Sequence, residues 1–286
     1  MAAAKRTVKR GRGVASGSMH PIERLRYVAR AAGAEPTVLV RETAQALAAV
    51  AADDPVGLVP ACRRLVDRHL TVGPMWWAAA RVLTAADPIA EAWTAADEID
   101  RDPTADFLTR DLPDEATVTL IGWPSLAAAG IRRRGDLEVL VVDSAGDGHA
   151  LVRRLEGSGI DAVDVAESGL GAAVTVSNLV VIEALAAGPP GVIATAGSHA
   201  AAAVAHHAGV PVWVVAGVGR VLPQRMWEAL TQRLDEGEDE PWDRPDELVP
   251  SDLIDVAVGP NGLETAADAL CTTTCPVAPE LLRAVG

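Results

Sequence analysis

The stretch GPPGVIATAGSHAAAAVAHHAGVPVWVV (188–215) holds residue types that suggest chemistry. Ser198 and His199 could act as a nucleophile and its base. A hydrolase nucleophile elbow, however, needs Gly-x-Ser-x-Gly on a turn from strand to helix, and the order here is Ala-Gly-Ser-His-Ala. Residues that are neighbours in sequence on a helix also do not face each other. The stretch therefore does not predict a Ser-His hydrolase.

The same residues fit the two ends of an alanine-rich helix. Ser198 is an N-cap residue type. His206 and His207 would lie in the last turn, where a positive charge suits the helix dipole, and Gly209 would end the helix. A helix N-terminus at the end of a strand is also a common binding site for a phosphate, because its backbone N–H groups are free to donate hydrogen bonds. We therefore interpret the histidines as structural and keep Gly197 and Ser198 as candidate anion contacts.

Glu183 closes the apolar run NLVVIE (178–183). A carboxylate at the end of a strand could act as a general base or bind a sugar hydroxyl. It could equally be an exposed acid at the edge of a sheet, and the residues alone leave both interpretations open.

The remaining motifs predict neither a cofactor nor a metal site. The glycine-rich SGLGAA (168–173) lacks the G-x-G-x-x-G spacing of a dinucleotide-binding turn. Cys271 and Cys275 form a CxxxC pair without a second pair nearby, whereas zinc prefers four ligands with closer pairing. We interpret Trp76, Trp77 and Trp123 as core or interface residues.

Composition restricts the classes of partner. The chain has 286 residues and a formal net charge of −14, so we expect no nucleic-acid partner, which would need a basic footprint. No apolar run reaches the roughly 20 residues of a membrane span, so we expect no membrane partner. Residues 1–19 are basic and lack the apolar core of a secretory signal, which predicts a disordered tail on a cytoplasmic protein.

Helical spacing dominates the chain up to residue 100. Five segments separated by Pro, Gly and Asp carry it: PIERLRYVARAAG (21–33), PTVLVRETAQALAAVAADD (36–54), VGLVPACRRLVDRHL (56–70), GPMWWAAARVLTAAD (73–87) and PIAEAWTAADEID (88–100). A polar Pro/Asp-rich link follows over 101–116. We predict a helical domain over 20–112 with a boundary in this link.

Short β-branched apolar runs alternate with helical stretches in residues 113–286. The runs are TVTLIG, LEVLVV, DAVDV, NLVVIE and VWVVA, and the predicted helices cover 125–131, 147–157, 197–208 and 223–235. This alternation predicts a Rossmann-like α/β domain whose mostly parallel sheet is covered on both faces. Ligands of such sheets bind at the carboxyl ends of the strands. We interpret the acidic run 235–247 as a solvated loop, followed by a last strand with its turn.

Several stretches resemble, in order and spacing, the family that holds the alpha, beta and delta subunits of eukaryotic initiation factor 2B. The family also includes isomerases of methylthioribose 1-phosphate and ribose 1,5-bisphosphate. The stretches are HLTVGPMWWAAARVL (69–83), TVTLIGWPSL (117–126), LEVLVVDSAGDGHALVRRLEGSGIDAVDV (137–165), VIEALAAGPPGVIATAGSHAAAAVAHHAGVPVWVV (181–215) and DELVPSDLIDVAVGPNGL (246–263). The resemblance spans residues 20 to 283 and implies an N-terminal helical domain, a Rossmann-like domain and a homodimer.

The resemblance also implies where a ligand would bind and which reactive groups are replaced. Trp123 matches the catalytic cysteine, Gly122 the preceding histidine, His69 an arginine and Thr195 a lysine. The candidate ligand contacts it gives are Gly122, Trp123, Ser144, Gly197, Ser198 and His69. Asp143 and Glu183 are the candidate acids or bases.

Two functions follow from these replacements. The first is a non-catalytic or regulatory protein, resembling the initiation factor 2B subunits, that binds a sugar phosphate or nucleotide. The alternative is a divergent aldose–ketose sugar-phosphate isomerase that uses Glu183 or Asp143 without the thiol.

Overall fold

A computed structural model describes residues 36–283 except 145 and 238. The predicted tail (1–19) and the predicted first helix (21–33) lie outside the described residues.

Five helices form the first half of the described chain. They are α1 (Pro36–Asp53), α2 (Leu58–Arg68), α3 (Gly73–Thr84), α4 (Pro88–Asp100) and α5 (Thr104–Asp111). The start of α4 shows how local sequence sets a boundary. The Asp87 carboxylate accepts hydrogen bonds of 3.1 Å from the backbone N–H groups of Ile89 and Ala90, and Pro88 occupies the first helical position. Both features favour a helix start, and the four helices predicted over 36–100 are confirmed.

Helix α5 lies in the segment that the sequence analysis treated as a polar link. Its first turn is held by Asp102, whose Oδ1 accepts a 2.9 Å hydrogen bond from the Thr104 backbone N–H. Asp102 Oδ2 accepts a second bond, of 2.8 Å, from Val218 N–H in the other half of the chain. A distant contact therefore helps to order a segment whose composition is typical of loops.

A seven-stranded sheet dominates the second half. Its strands are β1 (Thr117–Ile121), β2 (Glu138–Asp143), β3 (Asp161–Ala166), β4 (Leu179–Glu183), β7 (Val212–Val215), β9 (Val256–Gly259) and β10 (Gly262–Thr265), in the spatial order β10-β9-β7-β4-β1-β2-β3. Every pair is parallel except β9 with β10. The predicted mostly parallel α/β sheet is confirmed.

Helices connect the strands and cover both faces of the sheet. They are α6 (Ser125–Ile131), α7 (Gly148–Glu156), α8 (Leu170–Val176), α9 (Ser198–Ala208) and α10 (Gln224–Asp235), with the short α11 (Ala266–Ala269) after β10. The four helices predicted in this region match α6, α7, α9 and α10. Two separate apolar clusters lie against the sheet, one of which includes Ile182 and Ala201 and the other Val181 and Leu151.

A second, antiparallel sheet was not expected from the sequence. It consists of β5 (Ala186–Gly188), β6 (Gly191–Thr195) and β8 (Asp246–Pro250), in the order β5-β6-β8. Strand β8 begins inside the acidic run, so the prediction of a loop through residue 247 is wrong at its end. Gly191 is needed here because a Cβ atom would lie 2.3 Å from the Val249 carbonyl oxygen.

The core of the helical half extends into the second half. It contains Trp76 and Trp77, both fully buried, and reaches Ile193 of the small sheet and Trp227 of α10. Trp123 differs from the other two predicted core tryptophans because 37% of it is exposed. The division of the chain near residue 112 stays a prediction. Among the described residues, no helix combines the length and the apolar character that crossing a bilayer requires.

Candidate functional site

A cavity of about 900 Å³ lies between the helical half and the carboxyl ends of the parallel strands. Trp123 follows β1, Asp147 follows β2 and Glu183 ends β4, and the segment between α2 and α3 faces them. The lining arginines are Arg68, Arg154, Arg233 and Arg244, and the lining acids are Asp147, Glu183, Asp239 and Asp246. The position matches the general rule for open α/β sheets.

Glu183 is a buried, fully engaged carboxylate. Its side chain is 8% exposed and β4 is a central strand, so the interpretation as an exposed edge acid is wrong. Its Oε2 atom accepts hydrogen bonds from the backbone N–H groups of Leu126 and Ala127, at 2.7 and 3.0 Å. Its Oε1 atom accepts a 2.8 Å bond from Nη2 of Arg220. The carboxylate thus satisfies the first turn of α6 and neutralises a buried cation.

Arg220 is a buried neighbour of Glu183 that no sequence pattern predicts. It lies in the loop after β7, its side chain is 5% exposed, and it also donates to the Ala184 carbonyl oxygen. Its own backbone carbonyl accepts a 2.7 Å bond from Ala187 N–H. The arginine therefore connects the end of β4 to the small sheet. No local pattern marks it, because its partner is 37 positions away in the chain.

Asp246 places a second carboxyl group at the cavity. Its Oδ2 atom accepts a 2.7 Å hydrogen bond from the Thr71 hydroxyl. Burial raises the pKa of Asp246, while the bond from Thr71 lowers it in part. The acidic run around Asp246 predicts a solvated loop, and only the pairing of β8 with β6 reveals the position of this carboxyl group.

The lining arginines differ in how they are neutralised. Arg233 donates to Asp67 at 2.8 Å and to the Leu281 carbonyl, and Arg244 donates to the Asp239 carbonyl at 3.0 Å. Arg68 also has a partner.

Arg154 is exposed, and within residues 36–283, leaving aside 145 and 238, its guanidinium makes no hydrogen bond or ion pair. Its Cζ lies 5.9 Å from the centroid of the Trp123 ring. Within the described part of the chain, Arg154 thus presents to the cavity a positive charge that only the Trp123 ring contacts.

The structure brings three of the predicted site residues to the cavity: His69, Trp123 and Glu183. His69 is 7% exposed and ends α2, where its backbone N–H donates to the Leu65 carbonyl at 3.1 Å. Ligand binding by His69, Trp123 and Glu183 stays a prediction.

Other predicted residues meet in a tight cluster at the ends of β1 and β2. Gly122 has a positive φ of 63°, and a Cβ there would lie 3.0 Å from Thr195 Cγ2 and 3.2 Å from Ser144 Oγ. Ser144 Oγ is buried without a hydrogen-bond partner among the described residues. Asp143 Oδ1 accepts a 2.6 Å bond from Gly146 N–H. Close packing rather than an open pocket surrounds Gly122.

The start of α9 differs from the prediction. The N-cap is Gly197, whose φ of 94° is left-handed, and Ser198 is the buried first helical residue, so the interpretation of Ser198 as the N-cap is wrong. The backbone N–H of His199 donates to Glu247 Oε1 at 2.9 Å. An anion therefore does lie at this helix N-terminus, and it is the chain's own carboxylate.

The end of α9 agrees with the prediction. His206 and His207 lie in its last turn, and Gly209 ends it with a left-handed φ of 71°.

The fold and the position of the cavity define a class: a helical half joined to a mostly parallel α/β sheet, with the cavity at the carboxyl ends of the strands. No protein-family model and no curated protein matches the chain. Solved structures do match. The translation initiation factor eIF-2B of Pyrococcus horikoshii OT3 is 16% identical with a TM-score of 0.72, over 87% of this chain and 98% of that one.

Two fungal structures agree. In the tetrameric eIF2B-beta2-delta2 complex of Chaetomium thermophilum, the match is 20% identical with a TM-score of 0.69, over 87% of this chain and 91% of that one. The eIF2B beta protein of the same organism is 18% identical with a TM-score of 0.65, over 86% and 88%. The chain thus has the fold of these eIF2B proteins, which confirms the fold that the resemblance implied.

Proposed function

We propose that the chain belongs to the family of the initiation factor 2B alpha, beta and delta subunits and binds a small phosphorylated compound without converting it. The observation that carries the proposal is the guanidinium of Arg154, which lies over the Trp123 ring, makes no hydrogen bond or ion pair within the described residues, and lines a cavity at the carboxyl ends of the strands. A charged hydrogen bond to a phosphate is among the strong polar contacts available to a protein. By the resemblance, His69 and Thr195 stand where the family has an arginine and a lysine. The guanidinium of Arg154 on α7 supplies a positive charge in place of these two.

Two further observations favour binding over catalysis. Trp123 stands where the resemblance places the reactive thiol, and an indole cannot act as a nucleophile or proton carrier of that kind. Glu183, the strongest candidate base, already accepts three hydrogen bonds. A carboxylate that caps a helix and neutralises a buried arginine has most of its acceptor positions occupied, so a proton taken from a ligand would compete with these contacts.

A regulatory role in a homodimer completes the proposal. One matched structure is a tetramer of beta and delta chains, and we extend to this chain only the expectation that it associates with a second copy in the cytoplasm. Sedimentation equilibrium of the full chain tests this part, with a monomer at all concentrations as the contradicting result.

Thermal shift and calorimetry with ribose 5-phosphate, ribose 1,5-bisphosphate and inorganic phosphate test the binding site. A ligand at 100 times its Kd stabilises the folded state by about 2.7 kcal/mol. Arg154→Gln should weaken binding roughly 10- to 150-fold, the value of a hydrogen bond to a charged group. Arg153→Gln is the matched control, because Arg153 is an exposed neighbour on α7 that does not line the cavity. Equal weakening by both variants, or no ligand at all, would contradict the proposal.

The second candidate function, a sugar-phosphate isomerase, is favoured by Asp246. Burial raises the pKa of this cavity carboxyl, and Thr71 holds it in place. A carboxyl group whose pKa is raised is better suited to carry a proton than an exposed one. Turnover of a pentose 1-phosphate that is lost in Asp246→Asn, or in Glu183→Gln or Asp143→Asn, would replace the binding proposal with this one.

A further inference from the structure

We infer that the C-terminal strap, defined as residues 272–282, docks more tightly when an anion binds in the cavity, and that Arg233 couples the two. The inference rests on the proposed function, since it needs a phosphorylated compound in the cavity, and it concerns how the site is regulated. Residues 272–278 form no helix or strand, and one 3-10 turn (Pro279–Leu281) follows them. The strap thus runs from the end of the α/β half onto the helical half.

Apolar side chains at every third position hold the strap in place. Cys275, Ala278 and Leu281 are buried in the core of the helical half, whereas Val277 between them is exposed. A segment with few buried side chains and little regular backbone bonding opens at a lower free energy than the core that it covers. We therefore expect the strap to open without unfolding of the whole chain.

Two arginines bind consecutive carbonyl groups near the end of the strap. Arg63 of α2 donates from Nε to the Glu280 carbonyl at 2.6 Å, and Arg233 of α10 donates from Nη2 to the Leu281 carbonyl. Arg233 is among the described residues that line the cavity, and Arg63 is not. The two side chains therefore make the same kind of contact with the strap, but only Arg233 also lies where the ligand is proposed to bind.

An anion in the cavity would stabilise the charge of Arg233 where it already lies. Its Cζ is 4.9 Å from the centroid of the Trp76 ring, and Nη1 donates to Asp67. Burial lowers the pKa of Arg233, Asp67 raises it, and the nearby charge of Arg63 lowers it further. A guanidinium has five N–H donors, so it can contact an anion without releasing the Leu281 carbonyl. The anion then favours the docked strap, and the docked strap raises the affinity for the anion by the same factor.

Thiol labelling of the full-length Cys271→Ser variant tests the inference. Cys271 is exposed, so its replacement leaves the two buried thiols, Cys275 on the strap and Cys62 in α2. A thiol reagent should modify Cys275 sooner than Cys62, because opening of the strap exposes Cys275 directly. Saturating inorganic phosphate or ribose 5-phosphate should slow the labelling of Cys275 about 5- to 150-fold, the usual range of coupling between two sites.

Two arginine variants separate the coupling from docking alone. Arg233→Gln should speed the labelling of Cys275 and abolish its dependence on either compound. Arg63→Gln, the matched control, loses its own bond to the strap, so labelling should also become faster, but phosphate should still slow it. In calorimetry, Leu281→Ala should weaken phosphate binding because it loosens the strap, whereas Val277→Ala on the exposed side should not.

The outcomes distinguish the inference from the proposed function. If either compound binds and the labelling of Cys275 does not become slower, the inference is overturned and the proposed function stands. Equal labelling rates of Cys275 and Cys62 without ligand would do the same, because the strap would then open only together with the core. Binding of neither compound would overturn both.

Discussion

Replacing Arg220 by methionine should severely destabilise the protein without altering its surface. The substitution keeps an unbranched side chain, though a shorter one, and removes the charge that faces Glu183. Both side chains are nearly inaccessible, at 5% and 8% exposure, and Nη2 lies 2.8 Å from Oε1. The variant therefore leaves a carboxylate buried without its counter-ion.

The cost follows from this geometry. Breaking a buried ion pair by removing one partner costs about 3–5 kcal/mol, because the remaining charge is desolvated and uncompensated. Domains of this type are stable by about 5–15 kcal/mol in total. For a chain of this size, about 2–4 °C of Tm corresponds to each kcal/mol, so Tm should fall by about 6–20 °C.

Urea unfolding followed by circular dichroism measures the free energy, and a thermal scan gives Tm. The double variant Glu183→Gln/Arg220→Met should be more stable than Arg220→Met, because the neutral glutamine removes the uncompensated charge, and the coupling energy between the two sites should be about 0.5–3 kcal/mol. Its glutamine can still accept bonds from the first turn of α6. Arg110→Met, which removes an exposed arginine paired with Asp111, is the surface control and should change Tm little.

A loss below about 1 kcal/mol in Arg220→Met would refute this reasoning, since that is the range of an exposed pair. A double variant whose loss equals the sum of the two single losses would show that the two residues contribute independently. In that case Glu183 would be better regarded as available for chemistry, and the isomerase candidate would gain support.

Three further outcomes are expected. Gly191→Ala should destabilise by about 1–3 kcal/mol in urea unfolding, because a Cβ would lie 2.3 Å from the Val249 carbonyl, whereas Gly171→Ala in open space should not. Glu247→Ala should cost about 0.5–2 kcal/mol by the same measurement, the usual value of a lost helix cap. The raised pKa of Asp246 means that its neutral form is favoured by the fold, so its contribution is present at low pH and lost as pH rises through the folded-state pKa. The Tm of Asp246→Asn should accordingly rise relative to the unaltered chain as the pH increases above about 4, and an unchanged difference would contradict this assignment.

The parts of the fold that depend on local pattern could be predicted from the sequence. Helices such as Pro88–Asp100 and strands such as Leu179–Glu183 have clear periodicity and punctuation. The small sheet could not be predicted, because Ala186–Gly188 is only three residues long and Gly191–Thr195 pairs with a strand more than fifty positions away. Pairing at that distance leaves no local signal.

The sequence directs attention to the end of β4 and the start of α9. Glu183 at the end of β4 lines the cavity, whereas Gly197 and Ser198 at the start of α9 do not, and ligand binding at either place stays a prediction. The Arg220 partner of Glu183 and the Glu247 carboxylate at α9 come from loops and strands that a linear reading cannot bring together. Serine is a common N-cap residue, which is why the sequence predicts Ser198 at that position. The structure has Gly197 there instead, because glycine adopts the left-handed conformation without steric cost.

Two consecutive residues of strand β8 carry carboxylates that contact different parts of the protein. Asp246 faces the cavity beside Thr71, and Glu247 reaches the first turn of α9. Because successive side chains of a strand point to opposite faces, a slip of one residue would exchange every inward position for an outward one. Loop 236–245 can therefore change in length during evolution only where the pairing of β8 with β6 keeps its register. An insertion that shifted the register of β8 would move the Asp246 carboxyl group away from the cavity. It would also remove the Glu247 carboxylate from the first turn of α9.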